Sequence, residues 1–267
     1  CRRAVVMKNK TLKNITSQRL FLPIFCLALV LLVNIITTPN FFSIEIRDGV
    51  LYGYMIDIIN RASELVILAV GMTLVVSSSA GTDISVGAIM AVSAAVCCNI
   101  LTGGERAVTA YANPLILGFI AALVVGAAIG CFNGFLVSKL NIQPMVATLI
   151  MFTAGRGIAQ LITDGQITYV RVDSYRVLGA SFPVPTPFIV AVLVVALTSL
   201  LLKKTALGMY IQSVGINKRA SQLVGIKSVL IIFLTYAYCG LCSGLAGLIA
   251  SSRIYSADAN NIGLNME

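Results

Sequence analysis

The chain contains no histidine and no tryptophan among its 267 residues. Without histidine it cannot form a histidine general base, a histidine-ligated zinc site or a Ser-His-Asp triad. It also has no G-x-x-x-x-G-K-[ST] motif, so it contains no phosphate-binding P-loop of its own. These absences exclude three common catalytic centres and a P-loop ATPase activity in this chain.

Charged residues are also scarce. They make up 11% of the chain and hydrophobic residues 58%, whereas a soluble globular domain has about 25% and about 45–50%. So little polar surface cannot solvate a compact body of this size in water, which makes lipid the expected solvent. The composition excludes a disordered chain, a secreted disulfide scaffold and an ordinary cytosolic enzyme.

Seven apolar stretches are long enough, or nearly long enough, to cross a bilayer. Because lipid forces the backbone to satisfy its own hydrogen bonds, runs of this length predict helices. A signal peptide is the alternative for the first stretch, but the residues after it make a poor cleavage site. The prediction is an all-α fold, a polytopic transmembrane helix bundle with spans at 20–36, 65–80, 84–101, 114–137, 145–162, 187–202 and 228–251.

The positions of the charges predict the orientation of the bundle. If the basic segment 1–19 is cytoplasmic, the inner segments hold 12 Lys and Arg against one acid, Asp83. The outer segments then hold six Arg and nine acids, and all eight Lys lie inside. This distribution follows the positive-inside rule, so the net charge of +9 indicates topology and not nucleic-acid binding.

Small residues dominate two of the predicted spans. Gly and Ala recur every four residues over 118–134, and three further glycines lie within 240–247. In lipid such stripes let helix backbones approach closely, so we expect tight packing between helices. The C-x-x-C pair Cys239 and Cys242 is interpreted as two small residues on a buried helix face, not as a redox or metal site.

One charged residue falls inside a predicted span. Arg156 lies about 17 Å along the fifth stretch, where an unpaired charge costs at least about 2.5–3.5 kcal/mol. We therefore expect it to face the bundle interior, with Gln160 on the same helix face. Its partner would be a polar solute, a backbone carbonyl or a carboxylate, and Asp83 is the only carboxylate expected at that depth.

A polar, glycine-containing stretch separates the second and third apolar runs. Residues 77–87 include Gly81, Asp83 and Ser85. They form either a tight turn at the inner surface or an interrupted helix that dips into the membrane. We favour the interrupted helix, because broken helices present backbone groups to solutes in transporters. Asn133, near the inner end of the fourth span, could line the same path or cap its helix.

Residues 203–227 form a long inner loop with helical spacing. Leu207, Ile211 and Val214 share one helix face, and a second short helix is expected over 218–224. Apolar residues on a cytoplasmic helix need a cover. Lipid headgroups or a protein partner could supply it.

Several separated segments share the motifs of one transporter family: 71–76 (Gly-Met-Thr-Leu-Val-Val), 83–87 (Asp-Ile-Ser-Val-Gly), Asn133-Gly134, 147–149, Arg156-Gly157, and 215–217 with Ala220 and Gly225. Through these segments the chain, from about residue 20 onward, resembles the permease subunits of ribose-type ATP-binding-cassette (ABC) sugar importers. Within that family, it is most similar to permeases of bacterial galactofuranose importers at 48–49, 57–62, 157–163, 204–209 and 257–261.

The resemblance implies a multi-pass protein of the bacterial inner membrane with a cytoplasmic N-terminus and a permease domain over 20–267. It implies translocation of a monosaccharide, galactofuranose or a ribose-like sugar, without covalent chemistry and without a cofactor bound by this chain. The expected partners are a cytoplasmic ABC ATPase that uses ATP, a second permease subunit and a periplasmic sugar-binding protein. Family members have ten spans, so seven of an expected ten are present, and we expect the chain to insert but not to transport.

Two sets of candidate site residues follow, and neither includes a metal ligand. The substrate path is expected to contain Asp83, Ser85, Asn133, Thr148, Arg156 and Gln160. The loop 205–226 matches the family segment that docks into the ATPase, which assigns coupling to Gly208, Gly215, Asn217, Ala220 and Gly225.

Two other classes of protein compete with this interpretation. An ion-coupled secondary transporter would need carboxylates at membrane depth, and the sequence offers Asp83, with Glu64 at the edge of a span. A membrane-embedded enzyme would need catalytic groups, but the chain has no histidine and no paired carboxylates at one depth.

Overall fold

The computed structural model describes residues 21–38, 41–47, 50–179 and 185–266; the basic segment 1–19 lies outside them. Nine α-helices occupy most of the described residues. They are α1 Phe21–Thr37, α2 Tyr54–Ser79, α3 Val86–Thr102, α4 Leu115–Ser138, α5 Pro144–Ile162, α6 Thr186–Lys204, α7 Leu207–Ile216, α8 Lys218–Leu223 and α9 Ser228–Ile254. Two short 3-10 helices, Asp173–Leu178 and Leu264–Met266, complete the helical part.

A helix lies at each of the seven predicted spans, so the prediction of an all-α bundle is confirmed. Five of these helices are long and apolar enough to cross a membrane, and α1 and α3 are apolar helices of 17 residues. One boundary was wrong: α2 begins at Tyr54, eleven residues before the predicted start of the second span. The polar residues in this first part of α2 include Asn60, Ser63 and Glu64, which are buried inside the bundle.

The strands are short and lie in the connections between helices. The hairpin β1 Glu45–Arg47 and β2 Val50–Tyr52 precedes α2. A second sheet joins β3 Ala107–Val108, β4 Thr168–Val170 and β5 Ser256–Ala257, with β4 parallel to β3 and antiparallel to β5. All three strands of this sheet come from segments predicted to be external, so the structure agrees with the predicted alternation of the spans.

Glycine contacts hold α4 against α9 at the centre of the bundle. Gly118, Ala122, Gly126, Gly130 and Gly134 are all buried on one face of α4. At Gly130 a Cβ atom would collide with the carbonyl oxygen of Tyr236, and at Gly240 it would collide with that of Gly126. These contacts confirm the predicted packing of small residues. Cys239 and Cys242 are free and buried in α9, also as predicted.

The loop 203–227 folds back onto the bundle through α7. Ile211 and Val214 are buried, and Gly215 lies so close to Ser77 of α2 that a Cβ atom would collide with its carbonyl oxygen. The apolar face predicted for this helix is therefore covered by the chain itself, without a lipid or protein partner. Next to it, Lys218 Nζ donates to Asn141 Oδ1 at 2.8 Å, which joins this loop to the α4–α5 connection.

Candidate functional site

The segment between α2 and α3 folds back along α2. Helix α2 ends at Ala80, which has a left-handed backbone (φ 53°), and its N–H donates to Val76 O at 3.1 Å. The backbone N of Asp83 lies 3.4 Å from Met72 Sδ. Asp83 therefore lies beside α2 and not beyond its end. The connection over residues 80–85 is not helical.

Hydrogen bonds join the polar side chains of this segment to α4 and α5. Asp83 Oδ1 accepts from Ser85 N at 2.9 Å and from Ser85 Oγ at 2.6 Å. Asn133 Nδ2 of α4 donates to Ser85 Oγ at 2.8 Å, and Ile84 N donates to Thr148 Oγ1 of α5 at 3.2 Å. Four of the six predicted substrate-path residues therefore form one cluster, which we call the polar cluster: Asp83, Ser85, Asn133 and Thr148.

The polar cluster is closed in this structure. Its four side chains are at most 1% exposed. Asp83 Oδ2 and Asn133 Oδ1 are buried without a hydrogen-bond partner among the described residues. Buried acceptors of this kind are costly unless a donor satisfies them. The cluster thus offers two acceptors to a hydroxyl group, a water molecule or a cation.

Arg156 and Gln160 lie apart from the polar cluster, on the segment that follows α9. Arg156 Nη1 donates to Ala259 O at 2.8 Å and to Ile262 O at 2.7 Å. Gln160 Nε2 donates to Asn260 Oδ1 at 2.7 Å. The two residues share a helix face, as predicted, and the backbone carbonyl was one of the partners considered for Arg156. Backbone carbonyls accept from Arg156, while Asp83 is bonded to Ser85.

We call residues 256–263 the return segment, because it turns back from the end of α9 toward α3. Strand β5 pairs with β4, and Asp258 then caps the turn by accepting from Asn260 N at 2.9 Å and Asn261 N at 3.4 Å. Gly263 (φ 73°) lies against the backbone of Gly87, where a Cβ atom would not fit. The sequence provided no partner for Arg156 because these contacts are made about 100 residues further along the chain.

An ion pair that the sequence interpretation missed lies near the return segment. Glu64 Oε1 of α2 accepts from Arg253 Nε of α9 at 3.1 Å, and the Glu64 side chain is 3% exposed. The apolar stretches placed Glu64 at the outer edge of a predicted span and Arg253 outside one, because these stretches end where charged residues begin. The signal was the helical spacing of Asn60, Glu64 and Gly71, which continues the buried face of α2 toward its N-terminus.

The inner loop contains the five predicted coupling residues, and they divide into two groups. Gly208 and Gly215 are packing positions, since a Cβ atom would collide with the carbonyl oxygens of Leu202 and Ser77. The other three lie at the exposed tip. Asn217 caps α8 by accepting from Ala220 N at 3.0 Å, and Gly225 has a left-handed backbone (φ 89°) with open space around its Cα.

The same tip exposes three large apolar side chains. Ile216 is 87% exposed, Leu223 is 90% exposed and Val224 is 82% exposed. They flank the short helix α8, which begins with Lys218 and Arg219. We call this surface, residues 216–225, the loop tip.

A family model described as "Branched-chain amino acid transport system / permease component" matches residues 54–267. The chain belongs to this permease family. The galactofuranose transporter permease protein of Escherichia coli strain K12 is 47% identical over 243 residues, which are 90% of this chain and 69% of that protein. The fructose import permease protein of Bifidobacterium longum strain NCC 2705 is 37% identical over 271 residues, 97% of this chain and 72% of that protein.

The ribose import permease protein of Escherichia coli strain K12 is 36% identical over 239 residues, which are 86% of this chain and 69% of that protein. No solved structure matches the chain. The permease family confirms the resemblance found in the sequence and identifies the chain as a transport subunit rather than an enzyme. Together with the apolar helices, it identifies a multi-pass membrane protein.

Proposed function

We propose that this chain is the permease subunit of an ABC importer in the bacterial inner membrane, with its N-terminus in the cytoplasm, and that it admits a monosaccharide. Three relatives, 36–47% identical over most of the chain, are named as permeases for galactofuranose, fructose and ribose. The family description names branched-chain amino acids instead. The buried polar cluster is compatible with a hydroxyl-bearing solute, since hydroxyl groups can donate to its two unpaired acceptors.

The loop tip is the observation that carries the proposal of a separate ATPase. Ile216, Leu223 and Val224 are more than four-fifths exposed in a segment that the bundle holds in place through α7. Large apolar side chains clustered on an ordered surface mark interaction sites. The exposed Asn217, Ala220 and Gly225 lie among these apolar side chains. We expect the loop tip to dock into a groove of a cytoplasmic partner that hydrolyses ATP. This chain would bind no cofactor itself.

The polar cluster is the proposed part of the solute path. Its unpaired acceptors, Asp83 Oδ2 and Asn133 Oδ1, would receive hydroxyl groups of the solute when the connection between α2 and α3 moves away from α4 and α5. Arg156 and Gln160 would act at a distance, by holding the return segment. A second permease subunit, identical or not, and a periplasmic sugar-binding protein would complete the importer.

Ion-coupled transport is the alternative, and one observation favours it. Asp83 is buried with an unpaired carboxylate oxygen, which is a feature of cation sites in coupled transporters. The other carboxylate at comparable burial, Glu64, is already bonded to Arg253.

The energy source distinguishes the two functions. The full-length permease would be reconstituted with its ATPase and binding protein in liposomes, and uptake of radiolabelled galactofuranose, fructose and ribose would be measured. We expect uptake of at least one sugar. This uptake should require ATP on the side of the membrane that carries the ATPase, and it should persist when ionophores remove proton and sodium gradients. Uptake without ATP that collapses with the gradients would establish the alternative.

A further inference from the structure

A cavity of about 190 Å³ lies between α2, α9 and the return segment, apart from the polar cluster. It is far larger than the 10–15 Å³ that a single water molecule needs. Its walls combine charged and apolar groups from these elements and from α3. The lining includes Arg61, Glu64, Met90, Arg253, Asn261 and Ile262.

The charged wall presents both donors and acceptors. Glu64 Oε1 accepts from Arg253 Nε at 3.1 Å. Arg61, one turn before Glu64 on α2, is exposed and attracts the same carboxylate. Two arginines and one glutamate therefore line a cavity that also has apolar surface.

The opposite wall of the cavity is the return segment, which hydrogen bonds from α5 hold in place. Arg156 fixes the carbonyls of Ala259 and Ile262, and Gln160 fixes the side chain of Asn260. These bonds lie on the α5 side of the return segment, while Asn261 and Ile262 line the cavity. Arg156 is thus a positioning residue for this wall.

We propose that this cavity, lined by Arg61, Glu64, Arg253 and Asn261, binds the monosaccharide on the outer side before it reaches the polar cluster. The inference rests on the proposed function and adds a site to it. Each sugar hydroxyl needs a donor and an acceptor, which guanidinium and carboxylate groups supply together. The apolar floor of Met90 and Ile262 suits the C–H face of a sugar ring. A polyol can use both the arginine donors and the glutamate acceptor, whereas an anion could not donate to Glu64.

The test measures sugar uptake by the complete, ATP-driven importer with variants of the full-length permease. We expect Arg61→Gln and Glu64→Gln to raise the KM for the transported sugar at least tenfold while the maximal rate stays within twofold. Arg171→Gln is the matched control, because Arg171 is an exposed arginine that lies over the ring of Tyr169 and does not line the cavity. Its KM should stay within twofold of the parent value.

The outcomes separate the two levels of the proposal. If the parent importer transports none of galactofuranose, fructose and ribose, the proposed function fails. If the parent transports a sugar and both cavity variants keep its KM within twofold, the function stands and the cavity inference is overturned.

A labelling measurement covers the case in which Glu64→Gln fails to fold. Asn261→Cys places a thiol at the cavity wall, and a membrane-impermeant maleimide measures its accessibility in the parent importer. The transported sugar at saturating concentration should slow labelling at least threefold, whereas labelling of Gln166→Cys, an exposed position after α5, should not change. Equal labelling of Asn261→Cys with and without sugar would overturn the inference.

Discussion

At the scale of single residues, Arg156 shows how backbone carbonyls help to accommodate a charge within a span. Its guanidinium donates to two carbonyl oxygens of the return segment at 2.7–2.8 Å. Hydrogen bonds from a charged donor contribute about 1.5–3 kcal/mol each. The residue therefore stabilises a piece of backbone by satisfying the carbonyl oxygens of Ala259 and Ile262.

Removing this side chain should release the return segment. We predict that Arg156→Ala increases amide hydrogen exchange over residues 256–263 at least tenfold and abolishes transport, and that Arg156→Lys largely does so too. A lysine would present a point charge in place of the planar fork. Exchange measured by mass spectrometry on the purified permease checks this, with Arg171→Ala as a control at an exposed arginine. Unchanged exchange over 256–263 in Arg156→Ala would contradict it.

Asp83 is the acceptor on which the polar cluster depends. We predict that Asp83→Asn leaves the midpoint of thermal unfolding in detergent within a few degrees, because one amide oxygen still accepts from Ser85. Asp83→Leu should lower it markedly, since it leaves two buried donors of Ser85 unpaired at about 1–3 kcal/mol each. Equal midpoints for the two variants would show that these bonds are unimportant.

At the scale of elements, apolar runs predict where helices lie but not where a buried helix begins. The hydropathy of 65–80 identifies the second span, and the structure extends α2 back to Tyr54. The extension depends on Glu64 meeting Arg253, a partner 189 residues away. Periodicity reports the face of a helix, but only the tertiary structure reveals that a charge on that face is neutralised.

The contact between α4 and α9 should tolerate no added side chain. Gly130→Val would push a branched side chain against the backbone of α9 at Tyr236 and Gly240. Overpacking of this kind costs about 1–3 kcal/mol or more. We predict a thermal midpoint lower by several degrees, or no folded protein. The control Val124→Leu changes a 60% exposed side chain on the same helix and should unfold like the parent. A stable Gly130→Val variant would contradict the packing described.

The inner loop allows packing and coupling to be separated. From the sequence alone, Gly215 and Ala220 look equivalent as coupling residues, but Gly215 lies against α2 and Ala220 is exposed. We predict that Ala220→Asp keeps the thermal midpoint and loses ATPase association, whereas Gly215→Val lowers the midpoint as well. Thermal unfolding and co-purification with the ATPase check both variants. An Ala220→Asp variant that retains full association would contradict the docking role of the loop tip.

At the scale of the whole molecule, sequence patterns predicted the helical bundle, the alternation of its connections between the two sides of the membrane, and the transporter family. Charge distribution sorted the loops into two groups, and the structure joins three segments of one group in a single sheet. The site was predicted in part. The polar cluster combines segments with local sequence signals, namely the polar, glycine-containing connection between α2 and α3 and the polar residues within the apolar helices α4 and α5. The cavity beside Glu64 depends on contacts between α2, α9 and the return segment that no local pattern encodes.

The central claim is that the chain admits a monosaccharide under the control of an ATPase. Its most direct test is ATP-driven uptake by the full-length permease in its complete importer, with radiolabelled galactofuranose, fructose or ribose offered against an excess of unlabelled leucine. The account predicts uptake of at least one sugar that requires ATP and is unaffected by leucine, because three relatives that are 36–47% identical to this chain are named as sugar permeases. Uptake of leucine in place of all three sugars, or sugar uptake that proceeds without ATP, would contradict it.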